Sequence, residues 1–434
     1  MEDASAEKLL PTAFITPTVH SKFPTEKLSL VDHSIEKIER CVVYPETSDL
    51  NQSAPFEFVL HDAASHYLDL GSLQLEVTLS LHLPNGDRPA VDAQVYYTNN
   101  LLSSLFPIRK CFINNVCVET QYAGNHLSRI KQLLNTNNTI VDNRGQSRGL
   151  FRIRSHKMGS PITENVCNAN NDRKFFSKKE LIHLKGYLDL DICNISMWLV
   201  DLCTFRLVLE TAPDKLIINS NVDNIEYYTK INSIKLHFNR VRPSNGGFIN
   251  TSKLLAKKPL EYLFTRHITH SELMAAGQNS IIINRPFNNR IPHKLYIFSV
   301  KQSADQGSFL EDPFYYQTNG LENYRLMIDG KLLVDQTVDV ANGAVPSYVD
   351  SLEAQNNSEN FIPYECFTNG CFLLSIKTNH SQENELSFEQ KGNLSIFLKF
   401  AANLPVNQTI YVVGVCHSSF EITSDRNILT NYSY

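Results

Sequence analysis

The chain has 434 residues, 42% hydrophobic and 20% charged, with a formal net charge of -5. This composition excludes a disordered or fibrous class, and the charge argues against a general affinity for nucleic acid or anionic lipid, leaving only local basic patches. At this length two domains of about 200 residues each are expected, because single cores stop growing near roughly 250 to 300 residues.

Residues 1–55 contain Pro11, Pro17, Pro24 and Pro45 and hold no sustained period, which predicts an N-terminal arm lying on another surface or subunit. The start carries Glu2 and Asp3 and lacks the apolar run of a signal peptide. No later stretch reaches the roughly 18 uncharged apolar residues of a membrane span, so synthesis in the cytosol without a membrane anchor is expected.

Strands begin at "FEFVLH". In "YLDLGSLQLEVTLSLHL", Leu73, Leu75, Val77, Leu79, Leu81 and Leu83 share one parity, with Gln74, Glu76, Thr78, Ser80 and His82 on the other. That is a strand with one dry face, and it is long against the usual length of about 5 to 6 residues. Asn99 or Asn100 is placed to cap a short helix before Pro107, and "IRKCFINNVCV" reads as a hairpin about Asn114-Asn115. In "TQYAGNHLSRIKQLLN" the spacing of Tyr122, His126, Leu127, Ile130 and Leu133 or Leu134 predicts a helix. From Asn135 to Lys179 the chain is polar and aperiodic, a long excursion between strands.

Strands return at "GYLDLDI" and "SMWLVDLCTFRLVLETAP". There the apolar parity moves from Trp198, Val200 and Leu202 to Phe205, Leu207 and Leu209, which predicts a bulge or bend. A polar connection between Pro213 and Tyr227 places the domain boundary near residue 222, giving units at 56–222 and 223–434, the second opening with "INSIKLHFNRVRPS". Further strands follow at "NSIIINRPF", "HKLYIFSVKQ", "YRLMIDGKLLV", "CFLLSIKT", "GNLSIFLKFAA" and "TIYVVGVCHSSFEI", with Asp329-Gly330 marking a hairpin. The fold class expected is all-β: two tandem jelly-roll sandwiches with short helices in the inter-strand excursions. Immunoglobulin-type units of about 100 residues would instead make four domains.

No chemistry is singled out. His267 and His270 in "HITH" would need a third ligand to hold a metal, and on a strand their spacing turns the rings to opposite faces, so polar loop chemistry is the reading. Cys366 and Cys371 in "CFTNGC" lack the gap of a zinc knuckle or redox pair, and the nine scattered cysteines read as reduced, mostly buried thiols. Asp69, Asp189 and Asp191 fit the wet face of strands. The basic cluster of Arg240, Arg242, Lys253, Lys257 and Lys258 is the best place to meet phosphate, though Phe248 is its only interleaved aromatic, and a solvated loop accounts for it. No nucleophile elbow, phosphate-binding loop or dinucleotide fingerprint is present. Catalytic, cofactor-binding and metal residues are therefore all expected to be none.

Several segments resemble the double jelly-roll major capsid (hexon-like) proteins of Polinton/Maverick elements and adintoviruses. In the first half these are "FEFVLHDAASHYLDLGSLQLEV", "NNLLSSLFPIRKCFINNVCVE" and "LKGYLDLDI". In the second they are "INSIKLHFNRVRPS", the stretch from "FTRHITH" to "NRIPHKLYIFSVKQSADQGSFLEDPFYY", "MIDGKLL", "GNLSIFLKF" and "FEITSDRNI". The resemblance departs before Phe56, between Asn135 and Lys179, and at a family glycine replaced by Asn289 or Arg290. It implies two jelly rolls upright in an icosahedral shell and a homotrimer forming a pseudo-hexagonal block. The partners implied are neighbouring trimers, a minor (penton) capsid protein and weakly the packaged DNA, in a virion capsid made in the host cytoplasm and assembled there or in the nucleus. It implies no enzymatic activity. Readings from other classes are a carbohydrate-binding or adhesion sandwich, motivated by 18 Tyr and 24 Phe, a minor capsid component, and a β-barrel hydrolase or metal-dependent oxygenase.

Overall fold

The computed structural model describes residues 34–46, 55–61, 65–90, 92–135, 141, 143–151, 176–222, 225–355, 362–378 and 390–432. Its strands in chain order begin with β1 (Ile35–Val43), β2 (Phe56–Leu60), β3 (Tyr67–His82), β4 (Val95–Tyr97), β5 (Ile108–Ile113) and β6 (Val116–Gln121). Then come β7 (Ile182–Gly186), β8 (Phe205–Glu210), β9 (Ile218–Ser220), β10 (Tyr228–Pro243) and β11 (Leu260–Met274). The remainder are β12 (Ser280–Asn284), β13 (Arg290–Ile291), β14 (Lys294–Lys301), β15 (Leu321–Ile328), β16 (Lys331–Thr337), β17 (Leu374–Lys377), β18 (Gln390–Lys391), β19 (Leu394–Phe400), β20 (Gln408–Ile422) and β21 (Ile428–Thr430). Helices α1 (Leu101–Ser104) and α2 (Gly124–Asn135) lie between strands of the first half.

The first sandwich pairs a sheet of order β1-β10-β3-β7 with one of order β2-β8-β5-β6. The second pairs β11-β20-β14-β17, with β21 added to β20, against β12-β19-β15-β16. Setting aside the short ladders β4·β9 and β13·β18, each sandwich joins its first, eighth, third and sixth strands in one sheet and its second, seventh, fourth and fifth in the other. That order is the jelly roll, made twice. The alternating face of β3 closes the first core, with Leu75, Val77 and Leu79 fully buried, while Glu76 and Thr78 on the opposite face meet Lys185 and His183 of β7.

The hairpin-turn signals are met closely. Asn114 and Asn115 both take positive φ between β5 and β6, as do Asp329 and Gly330 between β15 and β16, the geometry of tight hairpin turns. The parity change before Phe205 is a break rather than a bulge. Residues from Trp198 to Leu202 form no strand, Leu199 making an isolated bridge to Leu68; Leu202 turns at φ 58°, and β8 starts at Phe205. Likewise "GYLDLDI" is not a strand, because β7 ends at Gly186 and Asp189 takes φ 57°. Asn100 precedes α1 in the left-handed region and makes no side-chain cap. Asn99 instead clamps Phe151, its Oδ1 accepting from the Phe151 N–H at 2.8 Å and its Nδ2 donating to the Phe151 carbonyl at 2.9 Å.

Two placements differ from the sequence expectation for one reason. Residues 35–43, expected in an arm, form β1, and β10, expected to open the second unit, pairs with both β1 and β3. The first sandwich therefore runs through Pro243 and does not end near 222. Its first and eighth strands lie far apart in sequence, and neither has a local partner to announce it. Residues 1–33 and most of the excursion between Asn135 and Lys179 lie outside the described residues.

The cores are not separate by halves. Leu260, Tyr262 and Phe264 of β11 and Phe420 and Ile422 of β20 belong to the first core, while Leu127, Ile130, Leu133 and Leu134 of α2 belong to the second. Tyr262 stacks on Phe420 at 4.9 Å, donates its hydroxyl hydrogen to the Trp198 carbonyl at 3.1 Å and accepts from the Val200 N–H at 3.3 Å. Each sandwich thus lends an element to the other.

Candidate functional site at the junction and the sheet edges

The junction holds a buried charge cluster. Asp191 has no exposed surface. Its Oδ1 accepts from Lys131 Nζ of α2 at 2.6 Å and lies 2.8 Å from His267 Nδ1 of β11, and its Oδ2 accepts the His267 N–H at 2.7 Å. Glu119 at the end of β6 accepts the N–H groups of Asp191 and Ile192 at 2.8 and 2.9 Å and the Gln121 amide at 2.6 Å. Burial pushes the Asp191 carboxyl up, but His267 and Lys131 outweigh it and hold the group below the usual carboxylate range. Burial, followed by the Asp191 charge, pushes Glu119 up. One ionised carboxylate thus ties the first sandwich, its helix and the second sandwich together.

Arg109 of β5 organises the surroundings. It is fully buried, and burial pushes its guanidinium down to about 10. It donates to the carbonyls of Phe106 at 2.8 Å and Ser103 at 2.7 Å, to Ser128 Oγ at 3.0 Å, and to the Leu188 carbonyl. Helix α2 starts hard against it, since a Cβ on Gly124 would lie 3.0 Å from Arg109 Nε and from the Pro107 carbonyl. At the far face of α2, His126 bridges Tyr316 Oη and Asp305 Oδ1, each at 3.1 Å, and Tyr411 donates to Asp305 at 2.8 Å. Arg426 adds another tie, donating to the Asp201 carbonyl at 2.8 Å and to its Oδ1 at 2.6 Å.

The residues weighed in the sequence scatter. His267 and His270 lie on β11, not in a loop, and their rings part as the strand period requires, His267 to Asp191 and His270 to Glu272 at 3.2 Å. Asp191 is not on a wet face, and Asp189 binds Arg148 at 2.5 Å at the edge of the same cluster. Asp69 accepts the Ser72 hydroxyl at its carbonyl. Cys366 and Cys371 are buried in the second core, where the Cys371 N–H closes a turn on the Cys366 carbonyl at 3.1 Å. In the basic cluster Arg240 donates to the His61 carbonyl at 2.6 Å and Arg242 pairs with Glu36 at 3.2 Å, leaving exposed Lys253, Lys257 and Lys258 on or just after the helix Asn245–Lys257. Among the described residues no group of His, Cys, Asp and Glu is placed to hold a metal, and no helix is long and apolar enough to cross a membrane.

What sequence reading missed is the apolar surface on the edges. Strand β1, at one edge of the first sandwich, exposes Ile38 and Val42, with Tyr44 just beyond. In the second, the edge strand β12 exposes Ile282 and the edge strand β16 exposes Leu332 and Leu333. Edge β17 is covered instead: the helix Val345–Ala354 lies along it, with Ser351 Oγ accepting the Ser375 N–H at 3.1 Å. That helix shows Val345 and Val349, one turn apart, to the outside. Bare apolar edges invite pairing with further chains, and covering an edge prevents it.

No family model matches the sequence, and no curated protein matches it. Solved structures do match in fold. A chain in the structure of the Sputnik virophage is similar over 99% of this chain and 93% of its own, with 13% identity and a TM-score of 0.64. The mavirus major capsid protein is similar over 99% and 96%, with 10% identity and a TM-score of 0.53. The Faustovirus major capsid protein is similar over 91% and 92%, with 8% identity and a TM-score of 0.56.

Proposed function

We propose that the chain is a structural capsid subunit, the major shell protein of a Polinton-like virus or transposon. It acts without an active site, by homotrimerising into pseudo-hexagonal blocks that tile with their neighbours. The observation that carries this reading is the doubled strand order held by a shared junction. Three copies of a rigid pair of like sandwiches present six similar bodies around one axis, which meets the geometric demand of a hexagonal tile.

The apolar edges at β1, β12 and β16 supply surfaces for subunit contact, and the match to two major capsid proteins over more than nine-tenths of each chain supports the class. A penton protein at the vertices, and weak contact of Lys253, Lys257 and Lys258 with packaged DNA, belong to the same reading. Light scattering after size exclusion, followed by negative-stain imaging, tests it. A trimer with a hexagonal outline is expected, and a monomer at high concentration that makes no particles overturns it.

A further inference from the structure

A cleft of about 530 Å³ opens where the two sandwiches meet, within the size range of ligand sites. Its walls are two sheet edges: the end of β6, with Thr120, Gln121 and Tyr122, and the middle of β11, from Arg266 to Thr269. On β11 the His267 N–H points away from β20 to Asp191, so the backbone groups of Thr269, two residues on, share that outer edge. Arg266, Arg290 and Lys391 also line the cleft, and none of the described lining residues is acidic.

The floor gathers positive charge. Arg290 and Lys391 are direct cross-strand partners in the two-residue ladder of β13 and β18. They set two like charges side by side, and Arg290 also donates to the Asn431 carbonyl at 3.0 Å on the same wall. Arg266 reinforces the field from within, 5% exposed with its guanidinium 4.3 Å from the Tyr432 ring centre. Tyr122, 70% exposed, stands at the mouth as an aromatic anchor.

We propose that this cleft binds an extended acidic peptide of a partner protein, whose backbone pairs with the β6 and β11 edges while its carboxylates meet Arg290 and Lys391. Edge pairing supplies affinity and the cations supply selection. This stands apart from the capsid reading, since it requires only the folded chain.

The test uses the full-length protein and a short fluorescein-labelled peptide in which Glu alternates with Val, with a Lys-Val peptide as control, read by anisotropy. Selective binding of the acidic peptide is expected. Roughly tenfold or greater weakening in the double variant R290E/K391E, and a smaller loss in Tyr122→Ala, which keeps every charge, are also expected. Hydrogen exchange in the complex should protect the Thr269 amide and the end of β6 at residues 120–122. Equal binding of both peptides overturns the proposal, as does full affinity in a folded double variant. Displacement by inorganic tripolyphosphate without any amide protection assigns the cleft to phosphate groups and overturns peptide docking.

Discussion

The two sandwiches share one strand order and differ most in their first strands. In the first, β1 is a half-exposed edge whose apolar residues fall on both faces; in the second, the corresponding β11 runs with β20 past the end of β14 and buries Leu260, Tyr262 and Phe264 in the neighbouring core. The eighth strands differ in the same way, β20 alone carrying Phe420 and Ile422 across the junction. Topology sets which strands pair, but overhang decides whether two bodies move as one. The first sandwich is completed by the second, and α2 returns the debt.

The comparison breaks most sharply at Asp191. Replacing it with Ala takes the shared carboxylate from part-buried Lys131 and His267, and a loss on the order of 3 to 5 kcal/mol is expected in urea unfolding, with both sandwiches unfolding in one transition. Two separated transitions in the wild type would contradict the coupling. Next, Tyr262→Ala on β11 should cost about 3 to 4 kcal/mol, whereas Ile38→Ala on the matching β1 should change stability by less than about 0.5 kcal/mol. Matched thermal melts of the pair measure the asymmetry directly.

Smaller effects sharpen the contrast. Ser351→Ala uncovers the Ser375 N–H on β17 and should cost about 1 kcal/mol, with faster exchange of that amide. On β3, Glu76 is held at about 2 by the Lys235 hydrogen bond first, with Lys185 and His237 helping. A carboxyl depressed in the fold stabilises above its unfolded pKa of about 4.3, and that stabilisation fades as pH falls toward 2. Glu76→Gln should therefore cost about 1 kcal/mol or less at neutral pH, given partial exposure, and nothing in strong acid. Denaturant midpoints across that range check the sign.

The parts legible in the sequence were those whose cause is local. The hairpin turns at Asn114-Asn115 and Asp329-Gly330, the dry face of β3 and the three-to-four spacing of α2 each follow from residues within a few positions. What α2 would pack against did not, because its apolar stripe looks the same whichever core receives it. Strand β1 escaped notice since Ile35, Ile38, Cys41, Val42 and Val43 hold no single parity, and its partner β10 lies beyond every local window. Asp191 read as a surface carboxylate because the groups that bury and pair it, Lys131 and His267, are 60 and 76 residues away. The cationic cleft gave no signal at all, its cations coming from three separate stretches.

Placing the eighth strand between the first and the third has a consequence for biosynthesis. As the polypeptide emerges from the ribosome, β1 and β3 must wait for β10 before their sheet is whole, and the aromatic floor beneath them waits for Phe420. Contacts this distant close slowly and late. A product that stops before residue 420 therefore lacks part of the interior of its earliest-made body, so that body is finished only once β20 has been made.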